Sequence, residues 1–281
     1  MKRVKIILII GIVLVLGLIA YFPGKRIARA HVNEKTAVSD HPLSCVSCHL
    51  YISKNKYITK LINADYYSPF NIAVSKDGSK LYVVAQDTDE LLVVDTEKSE
   101  VLNKIKVGVH PHSVILDENE KFAYVSNEWS DYVSVIDLNW SMVTDSLFTG
   151  NGPAGLALSS NNQFLYAVNA YGSDLSVIDL QTKQEIKRIT TGNNPTGTAL
   201  SPDGNHLYVT SRRSNIVPYG EPLISELTVI NDDRQMTKEQ LNIESAYLME
   251  NIAFTPEGDL AMMTLIRPKN LIPSIQVDHG W

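Results

Sequence analysis

Residues 201–211 read SPDGNHLYVTS, a polar turn containing Asp-Gly that leads into an apolar strand. An Asp-Gly turn between alternating apolar runs is typical of a β-hairpin. Related stretches occur three times upstream, as SKDGSKLYVVA at 75–85, DENEKFAYVSN at 117–127 and SSNNQFLYAVN at 159–169. The four stretches begin 42 residues apart, so the chain is built on a fixed repeat.

Each repeat contains four short apolar stretches. In the first repeat these are NIAVS, LYVVA, LLVVD and VLNKIKVG, in that order. Three residue types keep the same spacing: Pro69, Pro111, Pro153 and Pro195; Tyr82, Tyr124, Tyr166 and Tyr208; Asp95, Asp137 and Asp179. Four antiparallel strands in about 40 residues predict one blade of a β-propeller.

The fourth and fifth repeats depart from this spacing. Asn231 takes the aspartate position ten residues late, and the extra residues fall in SRRSNIVPYGEPLISE (211–226), whose prolines and glycine predict a surface loop. The fifth repeat begins near Glu250 with NIAFTPEGDLAMMTL, and the given chain ends at Trp281. The predicted fold is therefore all-β, a propeller of four-stranded blades with about five blades present. Either the ring is small and irregular, or, as we expect, it is incomplete and the sequence is a piece of a longer protein.

The N-terminus predicts export. Basic residues at 2, 3 and 5 precede an uncharged apolar run from Ile6 to Phe22, which Pro23 and Gly24 end. Seventeen residues is short for a membrane span and long for a signal-peptide core, and Ala28–Ala30 offers an A-x-A cleavage sequence. We therefore expect residues 1–30 to form a signal or transmembrane helix, either cleaved as a signal peptide or kept as a membrane anchor.

Both cysteines of the chain lie in one motif, Cys45-Val-Ser-Cys48-His49. This C-x-x-C-H pattern is typical of haem c, in which the two thiols bond the porphyrin vinyls and the histidine ligates the iron. A redox disulfide or half of a zinc site are the alternatives. Zinc would need further ligands, but the chain has no other cysteine and no H-x-x-x-H, and a thioredoxin-like site needs a βαβ context. Residues 31–65 are thus predicted to be a haem c attachment segment, followed by the propeller at 66–281.

The remaining polar residues give weaker predictions. Candidates for a sixth iron ligand are His31, His41, His110, His112, His206 and His279, of which His110 and His112 flank Pro111 at the entry to a first strand. The repeated aspartates suit turn caps better than a ring of metal ligands. No catalytic constellation is visible. The formal net charge of -6 argues against nucleic acid as a partner.

The units SPDGNHLYVTS and LTVIN resemble the YVTN-type propeller repeats of exported bacterial and archaeal proteins. The resemblance covers residues 66 to about 265 and implies the fold, while the fold itself hosts both scaffolds and enzymes. Some relatives carry covalent haem. The expected function is electron transfer by a haem c-binding propeller, with a periplasmic redox or surface protein as partner. The expected localisation is the periplasm or the outer face of the inner membrane, which the protein would contact through its N-terminal segment. A non-catalytic binding scaffold, or the N-terminal part of a larger multihaem peroxidase-like oxidoreductase, are the alternatives.

Overall fold

The computed structural model of the chain describes residues 5–9, 67–218, 221–233 and 235–266. Four antiparallel sheets of four strands follow one another along the chain, and each keeps its strands in sequence order. Sheet 1 contains β2 (Pro69–Val74), β3 (Lys80–Ala85), β4 (Glu90–Asp95) and β5 (Glu100–Lys106); sheet 2 contains β6 (Pro111–Leu116), β7 (Phe122–Asn127), β8 (Tyr132–Asp137) and β9 (Met142–Phe148). Sheet 3 contains β10 (Pro153–Leu158), β11 (Phe164–Asn169), β12 (Asp174–Asp179) and β13 (Gln184–Thr190); sheet 4 contains β14 (Pro195–Leu200), β15 (His206–Ser211), β16 (Ile224–Asn231) and β17 (Met236–Glu244). These sheets are the predicted propeller blades.

The repeated residues mark the ends of the strands. Each of the four prolines is the first residue of its sheet's first strand, where its missing N–H costs nothing to the ladder. The repeated aspartates end the third strands and cap the following turns: Asp179 Oδ1 accepts the backbone N–H groups of Gln181 and Thr182, both at 2.8 Å. These backbone hydrogen bonds hold the pKa of Asp179 below its ordinary value. The turn-cap interpretation of these aspartates is confirmed.

Apolar side chains fill the spaces between successive sheets. In the described residues, one buried cluster lies at each of the junctions 1–2, 2–3 and 3–4, and a fourth joins sheet 4 to residues 246–265; each of the first three draws side chains from both of its sheets. At the junction between sheets 2 and 3, for example, Tyr124 and Leu147 pack with Leu165 and Ile178. The sheets therefore hold together face to face, as blades do, with the first strands of successive sheets next to each other.

The outer face of the first sheet has no such cover. Phe70, Ile72 and Val74 on β2 are each more than half exposed. The apolar residues that match Ile72 in sheets 2, 3 and 5, Val114, Leu156 and Ile252, are at most 6% exposed because a preceding sheet covers them. Sheet 1 thus presents, in the described part of the chain, a blade face without a neighbouring blade.

Within the described residues, which end at 266, the fifth sheet is short, as predicted. Its propeller strands are β18 (Ile252–Phe254) and β19 (Leu260–Thr264). A further strand, β1 (Lys5–Ile9), pairs with β19 in parallel. An edge strand offers unpaired N–H and C=O groups, which explains why an apolar segment can add to it.

The strand β1 differs from the helix expected at the N-terminus. Lys5–Ile9 are extended, and the rest of the predicted signal or anchor, through residue 30, lies outside the described residues. Among the residues that the structure describes, no helix is long and apolar enough to cross a membrane. Export and anchoring therefore stay predictions.

One buried hydrogen bond ties sheet 3 to sheet 4. The hydroxyl of Tyr166, a fully buried side chain, donates to Asp232 Oδ1 at 2.7 Å, and Ser160 Oγ donates to the other carboxylate oxygen at 2.8 Å. We expect Tyr166→Phe to lower the free energy of unfolding by about 2 kcal/mol, because it leaves a buried carboxylate oxygen without its donor. Chemical denaturation followed by circular dichroism measures this.

Tyr208→Phe is the matched control, because Tyr208 holds the same repeat position but forms no hydrogen bond through its hydroxyl to any described residue. Its stability should stay close to that of the wild type. Equal losses in both variants would show that the Asp232 contact contributes nothing.

Candidate functional site

Two sets of loops lie side by side at one end of the sheets. The residue before each first-strand proline accepts a hydrogen bond from the first residue after the second strand of the same sheet: Glu128 N donates to His110 O at 3.0 Å, and Arg212 N donates to Asn194 O at 2.9 Å. In sheet 3 the equivalent hydrogen bond runs from Ala170 N to Gly152 O. We call this end of the propeller, formed by the loops around 107–110, 149–152, 191–194, 128–131, 170–173 and 212–223, the loop face.

The backbone at the loop face is left-handed at one repeated position. His110 has a φ of 54°, and Gly152 and Asn194 occupy the same position with φ of 67° and 51°. A non-glycine residue in this region is strained by roughly 1 kcal/mol. Because the conformation recurs in each sheet whatever the side chain, it belongs to the blade connection and is not a device of His110.

A polar and aromatic cluster surrounds His110. Its Nδ1 lies 2.8 Å from Glu128 Oε2, and its ring stacks on Trp129 with centroids 4.0 Å apart and planes 2° from parallel. The hydroxyl of Tyr171 donates to the other oxygen of Glu128 at 2.9 Å. Glu128 therefore links sheets 2 and 3 across the loop face, and the indole of Trp129 stays 63% exposed.

His112 lies two residues further along the first strand of sheet 2; the residue as a whole is half-buried, but the Nδ1 atom of its ring is shielded from solvent. Its ring centroid is 4.7 Å from that of Phe70, and its Nδ1 has no hydrogen-bond partner among the described residues. Burial lowers the pKa of His112 to about 4, with opposing effects from Glu128 on one side and from His110 and Arg212 on the other. The ring is therefore neutral at pH 7.

This buried imidazole predicts sensitivity to acid. Between pH 6.5 and 4 the unfolded chain protonates His112 while the folded chain does not, so stability falls as the pH drops through that window. We expect His112→Leu to remove on the order of 2 kcal/mol of this loss. Urea unfolding of wild type and variant at pH 7.5 and 4.5 measures the difference.

His206→Leu is the control for that comparison, since the His206 ring contacts Lys238 Nζ instead of a buried apolar surface. If wild type and His112→Leu lose equal stability between the two pH values, His112 is not buried in its neutral form.

A pocket of about 400 Å³ opens on the loop face between sheets 3 and 4. We call it the insertion pocket, because residues 213–216, in the longer loop of sheet 4, form one wall. Its lining residues are Ala170, Tyr171, Ser173, Asn193, Asn194, Arg213, Ser214, Asn215, Ile216 and Tyr247. Tyr171 connects this pocket to the cluster around His110 through its hydrogen bond to Glu128.

The structure describes only some of the site residues that the sequence predicts. Cys45, Cys48 and His49 lie outside the described residues, as do His31, His41 and His279. His110 and His112 flank Pro111 at the start of β6, as the sequence indicated, and His206 contacts Lys238. No group of three or more candidate metal ligands occurs within the described ranges.

The residues just after each second strand contribute to the loop face although no motif in the sequence marks them. These positions read Gln86-Asp87, Glu128-Trp129, Ala170-Tyr171 and Arg212-Arg213 in the four sheets. The signal was present in the repeat, since these two positions change their chemistry in every unit while the strand before them stays apolar. Variable residues on loops of a regular scaffold are where binding sites are commonly built.

The profile of the YNCE-like β-propeller family matches residues 34–219 of this chain. The chain belongs to the YNCE-like β-propeller family. The match spans the first three sheets and most of the fourth sheet's insertion, and it agrees with the YVTN-type repeats of the sequence. A search of curated protein sequences found no significant match.

Solved structures share this YNCE-like fold. A chain of Kuenenia stuttgartiensis hydrazine synthase is similar with a TM-score of 0.68 and 25% identity, over 75% of this chain and 59% of that chain. The dihydro-haem d1 dehydrogenase NirN, solved in complex with DHE, is similar with a TM-score of 0.50 and 15% identity, over 62% of this chain and 37% of that chain. The YNCE-like chain therefore spans about three fifths of the hydrazine synthase chain and a smaller part of NirN.

Proposed function

We propose that this protein is an exported haem c-binding β-propeller that transfers electrons to or from a periplasmic partner. The observation that carries the proposal is Cys45-Val-Ser-Cys48-His49, which holds both cysteines of the chain and places a histidine directly after the second. Cytochrome c maturation takes place outside the cytoplasm in bacteria. The apolar N-terminal run and the motif therefore support each other.

The three motif residues have separate roles in this proposal. Cys45 and Cys48 form the thioethers to the haem vinyls, and His49 supplies a neutral imidazole nitrogen to the iron. When bound, the haem supplies a one-electron redox centre. The two thioether cysteines lie 24 and 21 residues before Pro69, where the first blade begins.

The propeller is the rigid part of the proposed carrier. Its sheets are packed through buried apolar clusters, and its loop face exposes Trp129 and Tyr171, each about 60% accessible. Aromatic residues are enriched where proteins dock. NirN, named for dihydro-haem d1, shows that this fold occurs in a protein that handles a haem.

The net charge indicates what kind of redox partner fits. The formal charge is -6, and residues 1–30 contain six basic residues and no acidic one, so a chain cleaved there is more acidic still. Opposite charge raises the rate at which redox proteins meet, and salt screens that effect. A basic electron carrier is therefore the expected partner class.

The test uses a small basic cytochrome c as the oxidised probe. The haem-loaded protein, reduced beforehand, should reduce the probe in a stopped-flow experiment, and the rate should fall by 10-fold or more between low and high ionic strength. A haem-loaded protein that does not reduce the probe, although its own haem cycles between ferric and ferrous forms, contradicts the electron-transfer role.

A further inference from the structure

The insertion pocket exists because sheet 4 differs from its neighbours. The loop after the second strand is four residues long in sheets 2 and 3 (128–131 and 170–173) but extends over 212–223 in sheet 4. Residues 213–216 of this longer loop face residues 170–173 and 193–194 across the pocket. A cavity of about 400 Å³ lies within the size range of small-molecule sites.

Hydrogen bonds fix the walls of the pocket. Asn215 N donates to Ile224 O at 2.7 Å, which closes the insertion onto the start of β16. Across the pocket, Asn193 Nδ2 donates to Asn215 Oδ1 at 3.1 Å, and Arg213 N donates to Asn193 O at 3.2 Å. The walls are thus joined before any ligand arrives, which lowers the entropy cost of binding.

The aromatic side of the pocket is also held in place. The ring of Tyr171 lies directly over Gly152, whose φ of 67° suits glycine, and any side chain there would overlap the ring. The Tyr171 hydroxyl is bound to Glu128. Tyr171 as a residue is 60% exposed, and its ring offers a flat apolar platform at the pocket.

The charges of the lining select the ligand. Arg213 is exposed and forms no ion pair with any described residue, whereas its neighbour Arg212 pairs with Glu250 at 3.2 Å. None of the ten lining residues carries a carboxylate, while three carry amides and two carry phenols. A guanidinium without a partner binds planar carboxylates through two parallel hydrogen bonds.

We infer that the insertion pocket binds a small hydroxyl-rich carboxylate of the uronic acid class. Arg213 takes the carboxylate, the amides of Asn193, Asn194 and Asn215 provide donors and acceptors for hydroxyl groups, and the ring of Tyr171 packs against an apolar sugar face. Free amino acids fit poorly, because their ammonium group finds no carboxylate in the lining. This site is independent of the haem and of the proposed electron transfer.

Isothermal titration of the full chain with D-glucuronate tests the inference, with D-glucose and L-glutamate as comparison ligands. Glucuronate should bind at least 10-fold more tightly than either. Arg213→Ala should weaken glucuronate binding by 10-fold or more. Lys187→Ala, which removes an exposed cation on β13 outside the pocket, should leave it unchanged.

A second variant keeps the inference falsifiable through the loop itself. Replacing 212–223 by AYGS, the loop of sheet 3, should abolish glucuronate binding while the circular dichroism spectrum stays that of the wild type. Absence of glucuronate binding, equal binding by Arg213→Ala, or equal binding of glutamate would each overturn the inference.

Discussion

Gly155→Val should lower the free energy of unfolding by at least about 3 kcal/mol. Gly155 lies on β10, the first strand of sheet 3, where it approaches β14 of sheet 4. A Cβ at this position would overlap the backbone oxygen of Thr196 and come within 3.0 Å of Val168 Cγ2. The backbone of the neighbouring blade cannot rotate away as a side chain can, so the two sheets must separate.

Gly172→Ala provides the comparison for this variant. The three atoms nearest to a Cβ at Gly172 belong to the carboxylate end of Asp174, at 3.1 to 3.3 Å, which can shift by a few tenths of an ångström. Denaturant unfolding should therefore show a small change for Gly172→Ala and a large one for Gly155→Val. Similar stabilities for the two variants would mean that sheets 3 and 4 do not approach each other as closely as the structure has them.

Removing the two cysteines of the C-x-x-C-H motif should abolish covalent haem attachment. Protein produced with a cytochrome c maturation system should carry haem through denaturing electrophoresis, and Cys45→Ala combined with Cys48→Ala should lose the haem stain completely. Thioether bonds survive denaturation, whereas haem held by ligation alone is released. The stain therefore separates covalent attachment from any other haem binding.

His49→Ala is the informative companion to the double variant. It leaves both thiols in place but removes the proposed iron ligand, so we expect covalent haem with an altered absorption spectrum and redox potential. An unchanged spectrum would remove His49 from the iron. In that case, loss of the haem stain in the double cysteine variant would still support the thioether assignment.

The strands of the propeller could be predicted from the sequence because its repeat is strict. Pro69, Pro111, Pro153 and Pro195 begin the first strands, and Asp137 and Asp179 end third strands, as the spacing indicated. Neighbouring blades cover both faces of a blade, so every repeat needs apolar residues at the same strand positions. The extra length before β16 could also be predicted, since the repeat spacing shows where the next strand should begin.

The loop face could not be predicted in the same way. Contacts such as Tyr171 to Glu128 join residues 43 apart in the chain, and they depend on how neighbouring blades place their loops. The burial of His112 likewise follows from the position of Phe70 in the preceding sheet. The sequence pattern of one strand does not show which side chains of a neighbouring blade pack against it. The N-terminal strand β1 was missed because an apolar run with basic residues before it favours an export helix over an added edge strand.

Covalent binding of haem c by Cys45 and Cys48 can be measured by intact-protein mass spectrometry of the matured wild-type chain under denaturing conditions. We expect a mass greater than that of the polypeptide by one haem, with the addition mapped by proteolysis to the peptide that contains residues 45–49. A wild-type mass without the haem increment, from cells in which a known c-type cytochrome matures normally, would contradict it.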